Sequence, residues 1–224
     1  MPNRIDSLAP FESLDLSLQQ KLENVSRERN YKKGEIPFLS SEILTSIFVI
    51  KTGKIKSYQL NLRSGREQTL YIYRKNTMFD VATLLDGEEH DISYEILEDT
   101  RLAVLPIDFV RDLMRSSPEF ARRLYQYVAV QMRYMEETLT DISFYPTTER
   151  LIKLIVQDFQ PENIFKFNIL EGLSHVEIAN LLGTVRHIVE RHLTALKDEK
   201  MIDLNNRKIE ILQAATLLER IRHI

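Results

Sequence analysis

Leu173-Ser-His-Val-Glu-Ile-Ala-Asn-Leu-Leu-Gly183-Thr-Val-Arg-His-Ile-Val-Glu-Arg-His-Leu193 is the stretch on which the reading of this chain turns. Ser174, followed three residues later by Glu177, is a capping box and starts a helix. Ile178, Leu181 and Leu182 give that helix an apolar side, and Ala179 is small enough for a close helix crossing. Gly183 stops it, because glycine takes the left-handed conformation of a tight turn without steric cost. Thr184 is then expected to cap a second helix whose Val185, Ile188, Val189, Leu193 and Leu196 point inward. Arg186, His187, Glu190 and Arg191 are left on its outer face. Two short helices joined by a glycine turn, the second with a polar outer face, make a helix-turn-helix, whose second helix enters the major groove of DNA.

The flanks extend this unit. Downstream, two alternating runs in Lys200-Met-Ile-Asp-Leu-Asn205-Asn206-Arg-Lys-Ile-Glu-Ile-Leu212 flank an Asn-Asn pair that tolerates positive φ, which predicts a hairpin. Arg207 and Lys208 lie near its tip, where a wing touches phosphates. Ala214 to Ile224 reads as a terminal helix. Upstream, Thr148 to Phe159 reads as an amphipathic helix with Leu151, Leu154 and Ile155 inward, and Pro146 marks a joint before it. Before that joint, Ser117-Pro118-Glu119 supplies an N-cap, a first-turn proline and an acid, and no glycine or further proline follows as far as Ser143. Phe120, Leu124, Val128, Gln131, Met135, Leu139 and Ile142 recur there at spacings of three and four, widened by Tyr127 and Tyr134. A helix of this extent is about 39 Å long at 1.5 Å per residue. A partner helix is the expected cover for such a stripe, which makes it a dimer seam; a helix buried within one chain is the other reading.

The first half reads differently. Ser46-Ile-Phe-Val-Ile50, Ile55-Lys-Ser-Tyr-Gln-Leu60, Gln68-Thr-Leu-Tyr-Ile-Tyr73 and Arg101-Leu-Ala-Val-Leu105 are strand-like, separated by turn signals at Lys51-Thr-Gly-Lys54, Arg63-Ser-Gly-Arg66 and Asp86-Gly87. Pro106-Ile-Asp108 starts a short helix. The fold expected is α+β: an N-terminal antiparallel β-roll in residues 1–117, a long dimerisation helix in 118–144 and a winged helix-turn-helix in 145–224.

Composition narrows the chemistry. The absence of cysteine excludes disulfides, thiolate zinc sites and cysteine-ligated iron–sulfur clusters. A net charge of −3 gives no whole-chain attraction to nucleic acid, and residues from Phe144 onward hold as many Lys/Arg as Asp/Glu, so a DNA-contacting surface must be locally polarised. No apolar run is long enough to span a bilayer and the first residues lack a signal-peptide pattern, so a cytoplasmic protein with no membrane partner is expected. There is no nucleophile–base pair, phosphate-binding glycine loop or metal-ligand cluster. His187, Glu190 and His192 share a helix, but a metal there would block the groove-reading face. Neither an enzyme nor a metal site is expected.

With these segments in place, the chain resembles the Crp/Fnr family of bacterial transcription regulators nearly end to end. The resemblance covers the strand-rich region around Gly53 and Gly87, the long helix, Thr148-Glu-Arg150 at the joint, and the helix-turn-helix with its wing. It implies a sequence-specific homodimer on a near-palindromic double-stranded DNA site, with RNA polymerase as a further partner. The family's recognition positions match Arg186, His187, Glu190 and Arg191; the family's frequent arginine is kept at Arg191, and its frequent glutamate is replaced by His187. Thr148, Ser174 and Thr184, with Arg207 and Lys208 of the wing, are the implied phosphate contacts.

Cyclic-AMP-binding relatives hold the phosphate with a Gly-Glu pair and, some ten residues on, an Arg-Ser pair. Val81-Ala82 and Ile92-Ser93 stand there instead, among Asp80, Asp86, Glu88, Glu89 and Asp91, so cyclic AMP is not the expected effector. An effector pocket formed by Tyr71, Tyr73, Phe79, Val81, Ala82, Ser93 and Met135 is one expectation; the aromatics of that set as core residues are the other. A haem that senses carbon monoxide or nitric oxide is the lesser alternative, with His90 as the sensor half's one histidine and Met78, Met132, Met135 or Met1-Pro2 opposite. A ligand-binding regulatory module without DNA affinity is the reading from another class.

Overall fold

The computed structural model describes residues 11, 14, 16–37, 40–89, 91–159, 169–205 and 208–221. The chain divides into two compact units: residues 1–59 with 71–134, and residues 60–70 with 135–224.

In the first unit, β1 (Arg27–Tyr31), β2 (Ser46–Asn61), β3 (Arg66–Arg74), β4 (Met78–Phe79) and β5 (Ser93–Pro106) form one sheet in the order β1-β5-β2-β3, with β4 beside β2. β5 pairs antiparallel with both β1 and β2. The apolar run at Ser46–Ile50 is explained by burial on both sides of the sheet. Ile47 and Val49 pack with Ala103 and Leu105 in one cluster, while Phe48 and Ile50 pack with Leu102 and Val104 in another, as a two-residue side-chain period requires. The first cluster is closed by α1 (Leu16–Val25), α3 (Val81–Asp86), α4 (Ile107–Ser116) and the start of α5 (Pro118–Phe144), through Leu22, Leu84, Val110, Leu113, Phe120 and Leu124. A short α2 (Ser40–Ile43) precedes β2.

One sequence expectation fails here and a second is refined. Lys51-Thr-Gly-Lys54 is not a turn: β2 continues through it, absorbing the residues in register shifts between Ile50 and Ile55. Gly53 makes this possible, with φ +99° and a backbone so close to β5 that a Cβ would fall 2.6 Å from Thr100 Cα. Asp86-Gly87 turns the chain, but at the end of α3, with Gly87 as its left-handed cap, and not directly between two strands.

α5 begins as expected, the Phe120 amide donating to Ser117 Oγ at 3.3 Å. Its stripe is divided. Phe120 and Leu124 are 1% and 0% exposed and Val128 packs against the same core, so the chain itself covers the part expected to lie in a seam. Tyr127 joins them, its hydroxyl bonded to both the amide and the carbonyl of Met78. Met135, Leu139 and Ile142 stay exposed at 58%, 67% and 42%.

The second unit holds α6 (Thr147–Phe159), α7 (His175–Leu182), α8 (Arg186–Asp198), β6 (Ile202–Asn205), β7 (Lys208–Ile211) and α9 (Ala214–Arg220). Leu151, Ile152, Ile155 and Val156 of α6 are buried, whereas Leu154 is only half-buried. Lys153 Nζ lies 2.8 Å from carboxyl oxygens of both Glu137 and Asp141, tying α6 to the end of α5. β6 and β7 form the expected antiparallel ladder, Asn205 opposite Lys208. α8 ends in paired bonds from Lys200 N to Lys197 O and from Met201 N to Leu196 O, with Lys200 at φ +55° where glycine is usual. The expected α+β architecture, a β-roll followed by a long helix and a winged helix-turn-helix, is the one found. Among the described residues no helix is long and apolar enough to cross a membrane.

Candidate nucleic-acid interface

α7 starts where Ser174 Oγ accepts the Glu177 amide at 3.2 Å and the Glu177 carboxylate accepts the Ser174 amide, the reciprocal bonds of a capping box. Gly183 closes it at φ +66°. The tip of the β2–β3 hairpin belongs to this unit and braces the turn. Asn180 Nδ2 donates to Glu67 Oε1 at 2.9 Å, and Arg66 Nη2 donates to the Gly183 carbonyl at 3.3 Å. A Cβ on Gly183 would stand 2.9 Å from Gln68 Oε1.

Thr184 is not the cap of α8. The N-cap is Val185, with no side-chain bond, because the turn places one further residue in extended backbone before the helix begins. Val185 is accordingly 41% exposed instead of inward. Val189, Leu193 and Leu196 are buried as expected, and Ile188 is half-buried. Arg186, His187 and Arg191 are exposed along the outer face, with Glu190 half-buried among them. Arg186 Nε donates to Glu190 Oε1 at 2.7 Å, and His175 Nδ1 of α7 lies 3.2 Å from the same oxygen. Arg186 first, then His175, holds the Glu190 carboxyl below the usual carboxylate range. Thr148 Oγ1 lies 2.9 Å from His192 Nδ1, so the threonine joins α6 to α8. Burial, and then the charge of Arg191, lower the His192 pKa.

Of the other expected residues, Lys208 is exposed at the start of β7, while Arg207 lies outside the described residues, as does His90. The aromatics expected at an effector pocket pack on one another. Phe79 stacks on Phe48 with centroids 5.1 Å apart, Tyr73 packs on Phe79 at 5.5 Å, and Tyr71 on Tyr73 at 4.6 Å. Val81 lies in the other core cluster, and Ala82, Ser93 and Met135 are exposed. Two features around α7 and α8 were missed from sequence: the bracing hairpin tip and the engagement of Glu190 by His175. No local signal marks contacts between residues 113 and 15 positions apart.

An antiparallel sheet domain, a long helix and a helix-turn-helix with a wing define a DNA-binding transcription regulator. Residues 28–117 match the family described as cyclic nucleotide-binding domain, and residues 149–220 the Crp-like helix-turn-helix domain. The chain is 30% identical to the cyclic AMP receptor protein of Thermus thermophilus, over 95% of this chain and 93% of that one. It is 25% identical to the transcriptional activator protein Anr of Pseudomonas protegens, over 94% and 88%. The solved structure of FixK2 from Bradyrhizobium japonicum superposes with a TM-score of 0.74 at 19% identity, covering 87% of this chain and 96% of that one. The chain belongs to the Crp/Fnr family of bacterial transcription regulators.

Proposed function

We propose that this regulator is a two-fold symmetric dimer that reads a near-palindromic DNA site with α8 and does not respond to cyclic AMP. The observation that carries the reading is the exposed Arg186, His187 and Arg191 on the helix that follows the Gly183 turn. A guanidinium bonds guanine O6 and N7 together, so Arg191 and Arg186 are the guanine readers. Glu190 accepts from a cytosine amino group, and His187 donates to or accepts from a base edge. Ser174, Thr184, Arg207 and Lys208 contact phosphates; Thr148 joins them in the tautomer where His192 donates to it and its own proton is free for a phosphate oxygen. The exposed Met135, Leu139 and Ile142 pair with a second copy, with Val128 and Gln131 at the margin. RNA polymerase is the further partner in this reading. Tyr71 and Tyr73 pack among the aromatics of the first unit, and no effector is assigned to them.

The test is Arg191→Ala, measured by electrophoretic shift on a selected operator and on random DNA. Loss of a base contact costs about 1–3 kcal/mol on the operator and much less on random DNA. Lys208→Ala, which removes a phosphate contact, weakens both alike and flattens the salt dependence. Equal effects of Arg191→Ala on both DNAs, or no effect, overturn the assignment of α8 as base reader.

A further inference from the structure

We infer that His175, on α7 and outside the recognition helix, is a positioning residue that sets base preference by holding Glu190 away from a closed ion pair with Arg186. The inference rests on the reading of α8 as the base reader. Glu190 Oε1 receives Arg186 Nε at 2.7 Å and faces His175 Nδ1 at 3.2 Å. A carboxylate only accepts, so the contact requires a proton on His175 Nδ1. Two donors converge on one oxygen, and the bonds use neither Glu190 Oε2 nor the terminal nitrogens of Arg186.

That geometry matters because an arginine and a glutamate four residues apart on an exposed helix face have a competing arrangement. In it the guanidinium and carboxylate meet as a two-bond fork, and both are spent on each other. The fork needs both carboxylate oxygens. With Oε1 pulled toward α7 by the imidazole, the carboxylate is turned to present one oxygen to Arg186 Nε. The terminal nitrogens of Arg186 then remain for guanine O6 and N7, and Oε2 remains for a cytosine amino group. His175 is 41% exposed at its side chain and Glu190 37%, so the imidazole stands at the rim of the interface. It reaches the bases only through Glu190. The α7 capping box is made by Ser174 and Glu177, so replacing the His175 side chain leaves that helix start intact.

The experiment is selection from randomised duplex DNA, with full-length wild type, His175→Asn and His175→Leu, followed by affinity measurements on single-base variants of the selected site. Asparagine places an amide donor near the position of Nδ1, and leucine removes the donor. His175→Leu should lower discrimination at the base pair read by Arg186 and Glu190 by about tenfold, the scale of one bidentate base contact. His175→Asn should retain it. In a Glu190→Ala background the leucine change should alter preference no further, since its route is gone; this cycle separates positioning from misfolding. Uniform weakening on every sequence with unchanged preference makes His175 a phosphate contact and overturns the inference. So does an unchanged selected site. If wild type itself selects no sequence, the reading of α8 has failed instead.

Discussion

His192, half-buried on α8, ties folding to pH. Its nitrogen sits 2.9 Å from Thr148 Oγ1, and burial, reinforced by Arg191, lowers its pKa. In the unfolded chain the same group titrates at about 6.5. As pH falls through that value the unfolded state takes up a proton first, so stability declines until the lower folded pKa is reached and is restored above the unfolded one. Thermal melting of the intact protein should therefore show a lower Tm at about pH 5.5 than at pH 7.5. His192→Gln, which keeps a polar partner for Thr148 but cannot titrate, should flatten that slope. Glu190 and Asp203, whose carboxyls are held low by Arg186 and by the Leu204 amide respectively, lose stabilisation only in the more acidic carboxylate range and do not confuse the window. Superimposable melting profiles for the two proteins would remove His192 as the cause.

The long helix is one element with two environments. Sequence reveals its start, at Ser117-Pro118-Glu119, and its length, because both are local properties of caps and of missing helix breakers. It does not reveal who covers the stripe, since an apolar face looks the same whether its cover is in its own chain or another. Phe120 and Leu124 are core, while Met132, Met135, Leu139 and Ile142 continue the stripe uncovered. The two parts should respond differently to mutation. Met135→Glu with Leu139→Glu should convert a dimer, seen by sedimentation at micromolar concentration, into a folded monomer without operator affinity. Leu124→Ala should instead cost about 2–5 kcal/mol of stability. A monomeric wild type, or a double variant that still sediments as a dimer, would sink the seam. The helix-turn-helix repeats this division. Its capping box and Gly183 turn were legible because each spans three or four residues, whereas Val185 as the N-cap and the bracing hairpin tip depend on how distant segments meet. β2 repeats it once more: Lys51-Thr-Gly-Lys54 has the residues of a turn, and only the approach of Thr100 to Gly53 makes it a bulged strand.

At the scale of the whole molecule, family membership and effector are separate questions. The chain is 30% identical to the cyclic AMP receptor protein of Thermus thermophilus over 95% of its length, yet the proposal made for it is that cyclic AMP is not its effector. A nucleotide phosphate needs donors and positive potential, which such folds supply near the start of a short helix. Here that helix is α3, and Asp80 precedes it as a buried residue in left-handed backbone, its carboxyl accepting a bond from Thr83 Oγ1 at 3.0 Å. The buried Asp80 carboxyl brings negative charge to that helix start. The next residue, Val81, is turned into the core with Leu84, and Ala82 and Ser93 are exposed and bring no cation. A ligand that binds only the folded state raises stability by RT ln(1 + [L]/Kd), about 2.7 kcal/mol at a hundredfold excess over Kd. Millimolar cyclic AMP should therefore leave both Tm and operator affinity unchanged, because any site with a micromolar Kd would shift the melt by several degrees. Calorimetric binding in the micromolar range would overturn this. If Val81→Gly with Ala82→Glu and Ile92→Arg then produced a shift where wild type shows none, the lost anion-holding groups would be identified as the cause, and the buried Asp80 as too weak an obstacle to exclude the nucleotide alone.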